Sequence, residues 1–70
     1  MCKRIAIIGL GLIGGSMAMA LKGFEDYEIV GVDRDPATLE FARTHGVADY
    51  LSTDAGQAVS TADVVYLCLH

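Results

Sequence analysis

Three glycines follow directly on an apolar run near the start of the chain, at positions 9, 11 and 14. A side chain at Gly9 would obstruct a tight turn, one at Gly11 would hold a pyrophosphate off the backbone, and one at Gly14 would push a helix away from the strand. The helix is predicted to begin near Leu12, so its unpaired N–H groups and the positive end of its dipole face the space above the glycines. The spacing therefore predicts a loop that binds phosphate groups without a basic side chain.

An aspartate closes the next apolar run, residues 29–32, at position 33. Asp33 lies nineteen positions beyond Gly14, close to the ~20 expected for a carboxylate that binds the ribose of a dinucleotide. The strand before the glycines, the helix after them and this acid together predict a dinucleotide site.

The same aspartate predicts which dinucleotide binds. The Asp33 carboxylate can accept hydrogen bonds from both ribose hydroxyls, whereas a 2′-phosphate would bring like charges into contact, which favours NAD over NADP. Arg34 can accommodate that phosphate or stack on adenine, so it leaves NADP open. A purely structural alternative has Asp33 capping a loop while Asp35 caps the following helix.

The elements that position these residues alternate between strands and helices. Strands are predicted before the glycines and over 29–32, 48–52 and 64–69. The first helix is predicted over 12–22, ended by Gly23, and the second from an Asp35 cap and Pro36 to His45, where Gly46 stops it. The third is predicted to run from a Thr53 or Asp54 cap to Ser60, with an interruption at Gly56. Right-handed crossovers give the strand order 3-2-1-4 with helices on both faces. The prediction is α/β, a partial Rossmann-type doubly wound parallel sheet in three layers, with residues 1–70 as one incomplete domain.

Hydrophobic patterning predicts which surfaces of these elements are buried. Residues 64–69 are six unbroken apolar residues, typical of a parallel strand buried on both faces. Gly14, Ala18 and Leu21 form a narrow stripe that suits close packing of the first helix on the sheet. The other side of that helix, with Ile13, Met17 and Ala20, is also apolar, so we expect either cover from outside these residues or plain exposure. Leu39 and Ala42 are predicted to face inward in the second helix.

Composition excludes several classes of function. The formal net charge is −4 and the five basic residues are scattered, which gives no electrostatic footprint for nucleic acid. Hydrophobic residues are 53% of the chain, typical of a globular core, but no run approaches the ~18 residues of a membrane span. The chain is predicted to be cytoplasmic, uncleaved and partnered by small molecules.

The cysteines and histidines do not make a recognisable catalytic or metal site. Cys2 and Cys68 are expected at opposite ends of neighbouring strands, too far apart for a disulfide, and no CxxC motif suggests a metal. His45 is expected as a solvated side chain or a cation at a helix C-terminus. His70 is expected at the lip of the ligand crevice, where it could touch cofactor or substrate, although a frayed terminus is the favoured state. No catalytic residue is assigned.

Several segments resemble the prephenate and arogenate dehydrogenases of tyrosine biosynthesis. The doubled glycine and serine of GLGLIGGS, positions 9–16, are the distinctive part, and VDRD, GVAD and ADVV at 32–35, 46–49 and 62–65 extend the resemblance. It covers nearly the whole chain but only the nucleotide-binding half of the family. One departure is His70, where the family's strand more often continues into proline.

The resemblance implies an activity and a set of cofactor contacts. Members of the family use NAD or NADP to oxidise prephenate or arogenate as carbon dioxide leaves, giving 4-hydroxyphenylpyruvate or tyrosine. It implies cofactor binding by Gly9, Gly11, the Leu12 and Ile13 amides, Gly14 and Asp33. Their substrate-binding histidine and arginines, and the helical domain that forms their homodimers, lie beyond position 70. Because the match starts almost at Met1, we expect no fused mutase domain in front of it.

Other functions remain open at the level of sequence. The chain could be the nucleotide-binding domain of another NAD(P)-dependent enzyme, such as a β-hydroxyacid dehydrogenase or reductase. It could also be an NAD(H)-sensing module or a flavin-binding domain. A sensor would normally bring a basic DNA-binding segment, which these seventy residues lack. The fragment alone is predicted to be inactive, to bind cofactor weakly and to self-associate.

Overall fold

Four parallel strands form one sheet in the order β3-β2-β1-β4. The computed structural model describes residues 3–22 and 26–68, with the backbone alone for Leu12 and Ile13. The strands are β1 (Lys3–Ile8), β2 (Tyr27–Val32), β3 (Tyr50–Ser52) and β4 (Val64–Leu67), and the helices are α1 (Leu12–Leu21), α2 (Pro36–Thr44) and α3 (Ala55–Thr61). The predicted fold class and strand order are confirmed. The predictions for Cys2, Gly23 and His70 concern residues outside the described ranges.

The helices cover the sheet on both faces and make three layers. Helices α1 and α2 pack on one face, where the buried side chains are Ile5, Ile7, Leu10, Ala18, Ile29, Ala42 and Val47. Helix α3 packs on the other, over Ala6, Val30 and Val32 through its own Ala58. The predicted inward stripe of α1 is confirmed by the complete burial of Ala18. On the other side of that helix, Ala20 is exposed and Met17 is partly buried against the core.

Local side-chain bonds define where the helices begin and end. The Asp35 carboxylate accepts a hydrogen bond from the Ala37 N–H at 3.1 Å, which is the predicted cap of α2. Asp54 caps α3 in the same way. The predicted interruption of α3 at Gly56 is wrong, since the helix continues through it; one helical glycine costs only about 1 kcal/mol. Gly46 ends α2 with φ +60°.

Two aspartates join neighbouring strands near the amino ends of the strands, on the side of the sheet opposite the glycine loop. Asp63, just before β4, accepts a hydrogen bond from the Arg4 N–H at 2.8 Å and donates its own N–H to the Arg4 carbonyl at 2.7 Å. Asp49, just before β3, exchanges the same two bonds with Ile29, at 2.8 and 3.0 Å. Asp49 therefore holds the start of the edge strand, which begins at Tyr50 and not at Ala48 as predicted.

The fourth strand is less buried than its apolar run predicts. Tyr66 is 39% exposed and Leu67 is 70% exposed, so the prediction of a strand buried on both faces is wrong for this chain. A parallel strand is buried when it has neighbours on both sides and helices on both faces. Among the described residues β4 pairs with β1 alone, and its other edge and much of the α3 face beside it are uncovered.

Candidate functional site at the carboxyl ends of the strands

The glycine loop turns tightly at Gly9, directly after β1. Gly9 has φ +94°, a conformation that side-chain-bearing residues rarely adopt, and its N–H donates to the Val32 carbonyl at 2.7 Å. A Cβ added at Gly14 would lie 1.8 Å from the Gly9 carbonyl oxygen, so this glycine lets α1 approach the end of β1. Gly14 thus permits the predicted close approach of α1 to the end of β1, and the positive φ of Gly9 is the reason for glycine at the predicted tight turn.

Gly11 is the N-cap of α1 and is exposed. Its backbone is extended, with φ −62° and ψ −164°, and no described side chain caps this end of the helix. The first hydrogen bond within the helix runs from the Gly15 N–H to the Gly11 carbonyl, at 2.8 Å. The N–H groups of residues 12–14 therefore have no partner within the helix, which suits the binding of an anion.

Leu10 anchors this loop in the protein interior, a feature the sequence analysis missed. The Leu10 side chain is only 6% exposed and belongs to the core between the sheet and the two helices. Its backbone N–H donates to the Asp33 carboxylate at 2.8 Å. The spacing of the glycines gives no signal for either contact, because both partners lie on or after the next strand.

Asp33 lies at the end of β2, beside the loop. Its Oδ2 accepts from the Leu10 N–H, and its Oδ1 accepts from the Asp35 N–H at 3.0 Å. The hydrogen bond from the Asp35 N–H is the largest cause of a lowered pKa for Asp33. Partial burial raises this pKa, whereas the Leu10 and Arg34 amides and the charge of Arg34 lower it further. Asp33 is therefore ionised at neutral pH.

Gly9 and Asp33 line one cleft above the carboxyl ends of β1 and β2. The cleft has a volume of about 360 Å³ and is lined by Ile8, Gly9, Val32, Asp33, Arg34, Thr53 and Ala55. Thr53 and Ala55 were not predicted as site residues; their only signal is that they follow the third strand, whose carboxyl end faces the same way. The cleft lies beside the first glycine and the acidic residue, where a ribose and its base would sit in this fold.

Of the remaining sequence candidates, His45 lies away from the cleft and Cys68 lies beside the glycine loop. His45 is exposed at the end of α2, where its ring stacks on Phe41 at 4.0 Å between centroids and its Nδ1 lies 2.9 Å from the Phe41 carbonyl oxygen. Cys68 is a free thiol whose Cβ would lie 3.2 Å from a Cβ at Gly14. No group of three potential metal ligands occurs among the described residues.

A second cavity, of about 400 Å³, lies between α1 and α2. Its walls are mainly apolar, with Leu10, Met19 and Phe41 among them, but they also include Gly11 and Ser16 at the start of α1. In the part of the chain that the structure describes, no helix has the length and apolarity needed to span a membrane.

The residues present fit a dinucleotide on structural grounds. A Cβ at Gly14 would clash with the Gly9 carbonyl beside helical N–H groups that have no partner within α1, and the Asp33 carboxylate bonds the same loop through the Leu10 N–H. Leu12 and Ile13 would contribute their backbone N–H groups, and Arg34 is exposed at the mouth of the cleft.

Relatives of known activity share this part of the structure. The chain is 41% identical over 68 residues to a cyclohexadienyl dehydrogenase of Zymomonas mobilis, a match that covers 96% of this chain and 23% of that protein. It is 35% identical to a prephenate dehydrogenase of Lactococcus lactis, covering 96% of this chain and 19% of that protein. The chain thus spans about a fifth of the length of these relatives.

Solved structures give the same picture. A prephenate dehydrogenase from A. aeolicus, in complex with hydroxyphenyl propionate and NAD+, superimposes with a TM-score of 0.79 at 31% identity, over 93% of this chain and 23% of that one. A myo-inositol 2-dehydrogenase from Lactobacillus plantarum shares the fold, with a TM-score of 0.72 at 20% identity over all of this chain and 22% of that one. The resemblance to prephenate dehydrogenases predicted from the sequence is confirmed. A family model matches residues 4–70, and the chain belongs to that family, described as coenzyme F420-dependent NADP oxidoreductase.

Proposed function

We propose that this chain is the NAD-binding part of a prephenate dehydrogenase, or of an arogenate dehydrogenase, which couples oxidation of the substrate ring to loss of carbon dioxide. The observation that carries the proposal is the ionised Asp33 carboxylate beside the glycine loop, at the mouth of a cleft. The likeness to the A. aeolicus enzyme, whose structure contains NAD+, supports the choice of cofactor.

Each residue of the site has a role in this proposal. The loop at Gly9 and Gly11 admits the pyrophosphate, and the Leu12 and Ile13 amides bind its oxygens at the start of α1. Gly14 keeps that helix against the sheet. The bound nicotinamide would accept a hydride from the substrate.

Asp33 is proposed to bind the two hydroxyls of the adenosine ribose. Its oxygens already accept the Leu10 and Asp35 amides, so the carboxylate is held in place before the cofactor arrives. Arg34 lines the same cleft and supports a second candidate, the use of NADP, which the name of the matching family also favours. We favour NAD because a 2′-phosphate would meet the Asp33 charge.

The rest of the reaction is assigned to parts of the protein outside this chain. A dehydrogenase needs groups that hold the substrate beside the nicotinamide and manage its proton. We propose that these groups come from beyond residue 70, that the whole protein forms a homodimer, and that it acts in tyrosine biosynthesis in the cytoplasm. No nucleic acid or membrane partner is proposed.

The test uses the full-length protein. Calorimetric titration with NAD+ and NADP+ measures cofactor choice, and the appearance of NADH with prephenate or arogenate measures activity. We expect NAD+ to bind more tightly and one of the two substrates to be oxidised. Tighter binding of NADP+ would assign Arg34 as the phosphate partner and reject our choice of cofactor. Binding of neither dinucleotide would reject the proposed function.

A further inference from the structure

Gly31 occupies a position in β2 where a glycine is costly. Glycine in a strand interior loses backbone entropy and offers no side chain for packing, so it usually marks a close approach of another group. Gly31 is buried between Ile7 on β1 and Leu51 on β3, on the face covered by α1 and α2. Positive φ angles are found at Gly9 and Gly46 among the described glycines, so backbone conformation does not explain Gly31.

The space above Gly31 is filled by the side chain of Leu10. A Cβ added at Gly31 would lie 2.7 Å from Leu10 Cδ1 and 3.1 Å from Leu10 Cδ2, with Leu51 Cδ2 at 3.2 Å. The first distance is below any ordinary contact, so the Leu10 side chain, which is only 6% exposed, would have to shift or change rotamer within the core. Because Gly31 has no side chain, the Leu10 side chain packs directly against the backbone at position 31.

Movement of Leu10 would also shift the glycine loop, because Leu10 lies in that loop between Gly9 and Gly11. Its side chain rests on Gly31, and its backbone N–H donates to the Asp33 carboxylate at 2.8 Å. Gly9 before it makes the tight turn, and Gly11 after it caps α1. Leu10 therefore connects the core of the sheet with both the glycine loop and the Asp33 carboxylate.

We infer that Gly31 is a positioning residue for dinucleotide binding, acting through Leu10 on both the glycine loop and Asp33. This inference rests on the proposed function and adds to it a residue that does not itself touch the cofactor. The inference predicts that a change in the packing of residue 10 on residue 31 alters the affinity for NAD+, even when every group that contacts the cofactor is unchanged.

The decisive experiment compares Gly31→Ala with the double variant Leu10→Val/Gly31→Ala in the full-length protein. Alanine fits the backbone at position 31, so its main obstacle is the Leu10 side chain at 2.7 Å, with a lesser one from Leu51 Cδ2 at 3.2 Å. Since displacements of about 1 Å disable positioned sites, we expect Gly31→Ala to weaken NAD+ affinity by about tenfold or more. Valine lacks both δ carbons, so the double variant should return to within about threefold of wild type.

A second measurement follows the local geometry without any ligand. Selective ¹⁵N-leucine labelling reports the hydrogen exchange of the Leu10 amide, which is protected by its bond to Asp33. Exchange should be faster in Gly31→Ala and slow again in the double variant. Gly56→Ala is the matched control, because a Cβ there meets only Asp54 Oδ1 at 3.4 Å, and its NAD+ affinity should equal that of wild type.

The results separate positioning from simple packing. A lower melting temperature with unchanged affinity and unchanged Leu10 exchange would overturn the inference, as would failure of valine to restore binding. If Gly31→Ala does not fold, Leu10→Ala removes the seated side chain without a clash, and unchanged affinity and exchange in that variant would overturn it too. If wild type binds no dinucleotide, the proposed function fails, and Leu10 exchange alone then decides whether Gly31 positions the loop.

Discussion

Replacing Gly14 by alanine is expected to separate α1 from the end of β1. The new Cβ would lie 1.8 Å from the Gly9 carbonyl oxygen, whereas Cβ atoms essentially never come within 3.0 Å of such a neighbour, so a movement of about 1.2 Å is required. Because the obstructing atom belongs to the backbone, no change of rotamer relieves the clash. The start of the helix, with its N–H groups that have no partner within α1, must therefore move away from the glycine loop.

The size of the effect follows from this displacement. A misplacement of about 1 Å in a positioned site can cost about 100-fold, which corresponds to about 2.7 kcal/mol. We expect Gly14→Ala to weaken NAD+ affinity by about that factor. Overpacked sites also lose about 1–3 kcal/mol of stability, so the free energy of unfolding should fall by a similar amount.

Gly15→Ala provides the matched control in the same helix. A Cβ at Gly15 would meet only the Leu10 carbonyl oxygen at 3.6 Å, an ordinary contact. Alanine is favoured over glycine inside a helix by about 0.5–1 kcal/mol, so this variant should melt at a higher temperature and bind NAD+ like wild type. Thermal unfolding and calorimetric titration measure both quantities. If the two variants behaved alike, close approach would not be the reason for glycine at position 14.

Gly11→Ala should weaken NAD+ binding strongly with little change in melting temperature, because Gly11 is exposed and its φ of −62° is open to alanine; a variant that unfolds would contradict this. Asp33→Asn should narrow the difference between NAD+ and NADP+ affinity, since the charge that repels a 2′-phosphate is gone; an unchanged ratio would remove Asp33 as the selecting group. Since the pKa of Asp33 is lowered on folding, its stabilising contribution is complete above about pH 4, the ordinary range for aspartate, and is lost as the pH falls through the lowered value. Urea unfolding of wild type and Asp33→Asn from about pH 2 to pH 7 should therefore show a difference that shrinks only in acid.

Much of the fold follows from local pattern alone. The Asp35-Pro36 start of α2 and the apolar runs before the glycines and Asp33 are signals carried by adjacent residues, and each was predicted correctly. Strand order then follows from the handedness of the crossovers. The exposure of Leu67 was not predictable in this way, because an apolar run is the same whether or not a neighbouring strand is present.

The site was predicted only as far as residue spacing allows. The residue spacing identified Gly9 and Asp33, which line the cleft, and Gly14, which lets α1 approach Gly9. The contact of Leu10 with Gly31 was invisible, since it joins residues 21 positions apart whose types are common in any apolar segment. Through-space contacts of this kind depend on the pairing of the strands, which brings the end of β1 beside β2.

Asp49 and Asp63 limit how far the parallel strands can slide past one another. Parallel strands are joined by long crossovers and not by tight turns, so no short loop dictates their alignment. A slip of two residues would also leave every side chain on its own face of the sheet, and apolar packing alone would oppose it weakly. Such a slip would break both bonds of Asp63 to Arg4, or both bonds of Asp49 to Ile29. The two aspartates thereby fix the alignment of the strands, and this alignment determines where their carboxyl ends lie relative to the loop that carries Gly9.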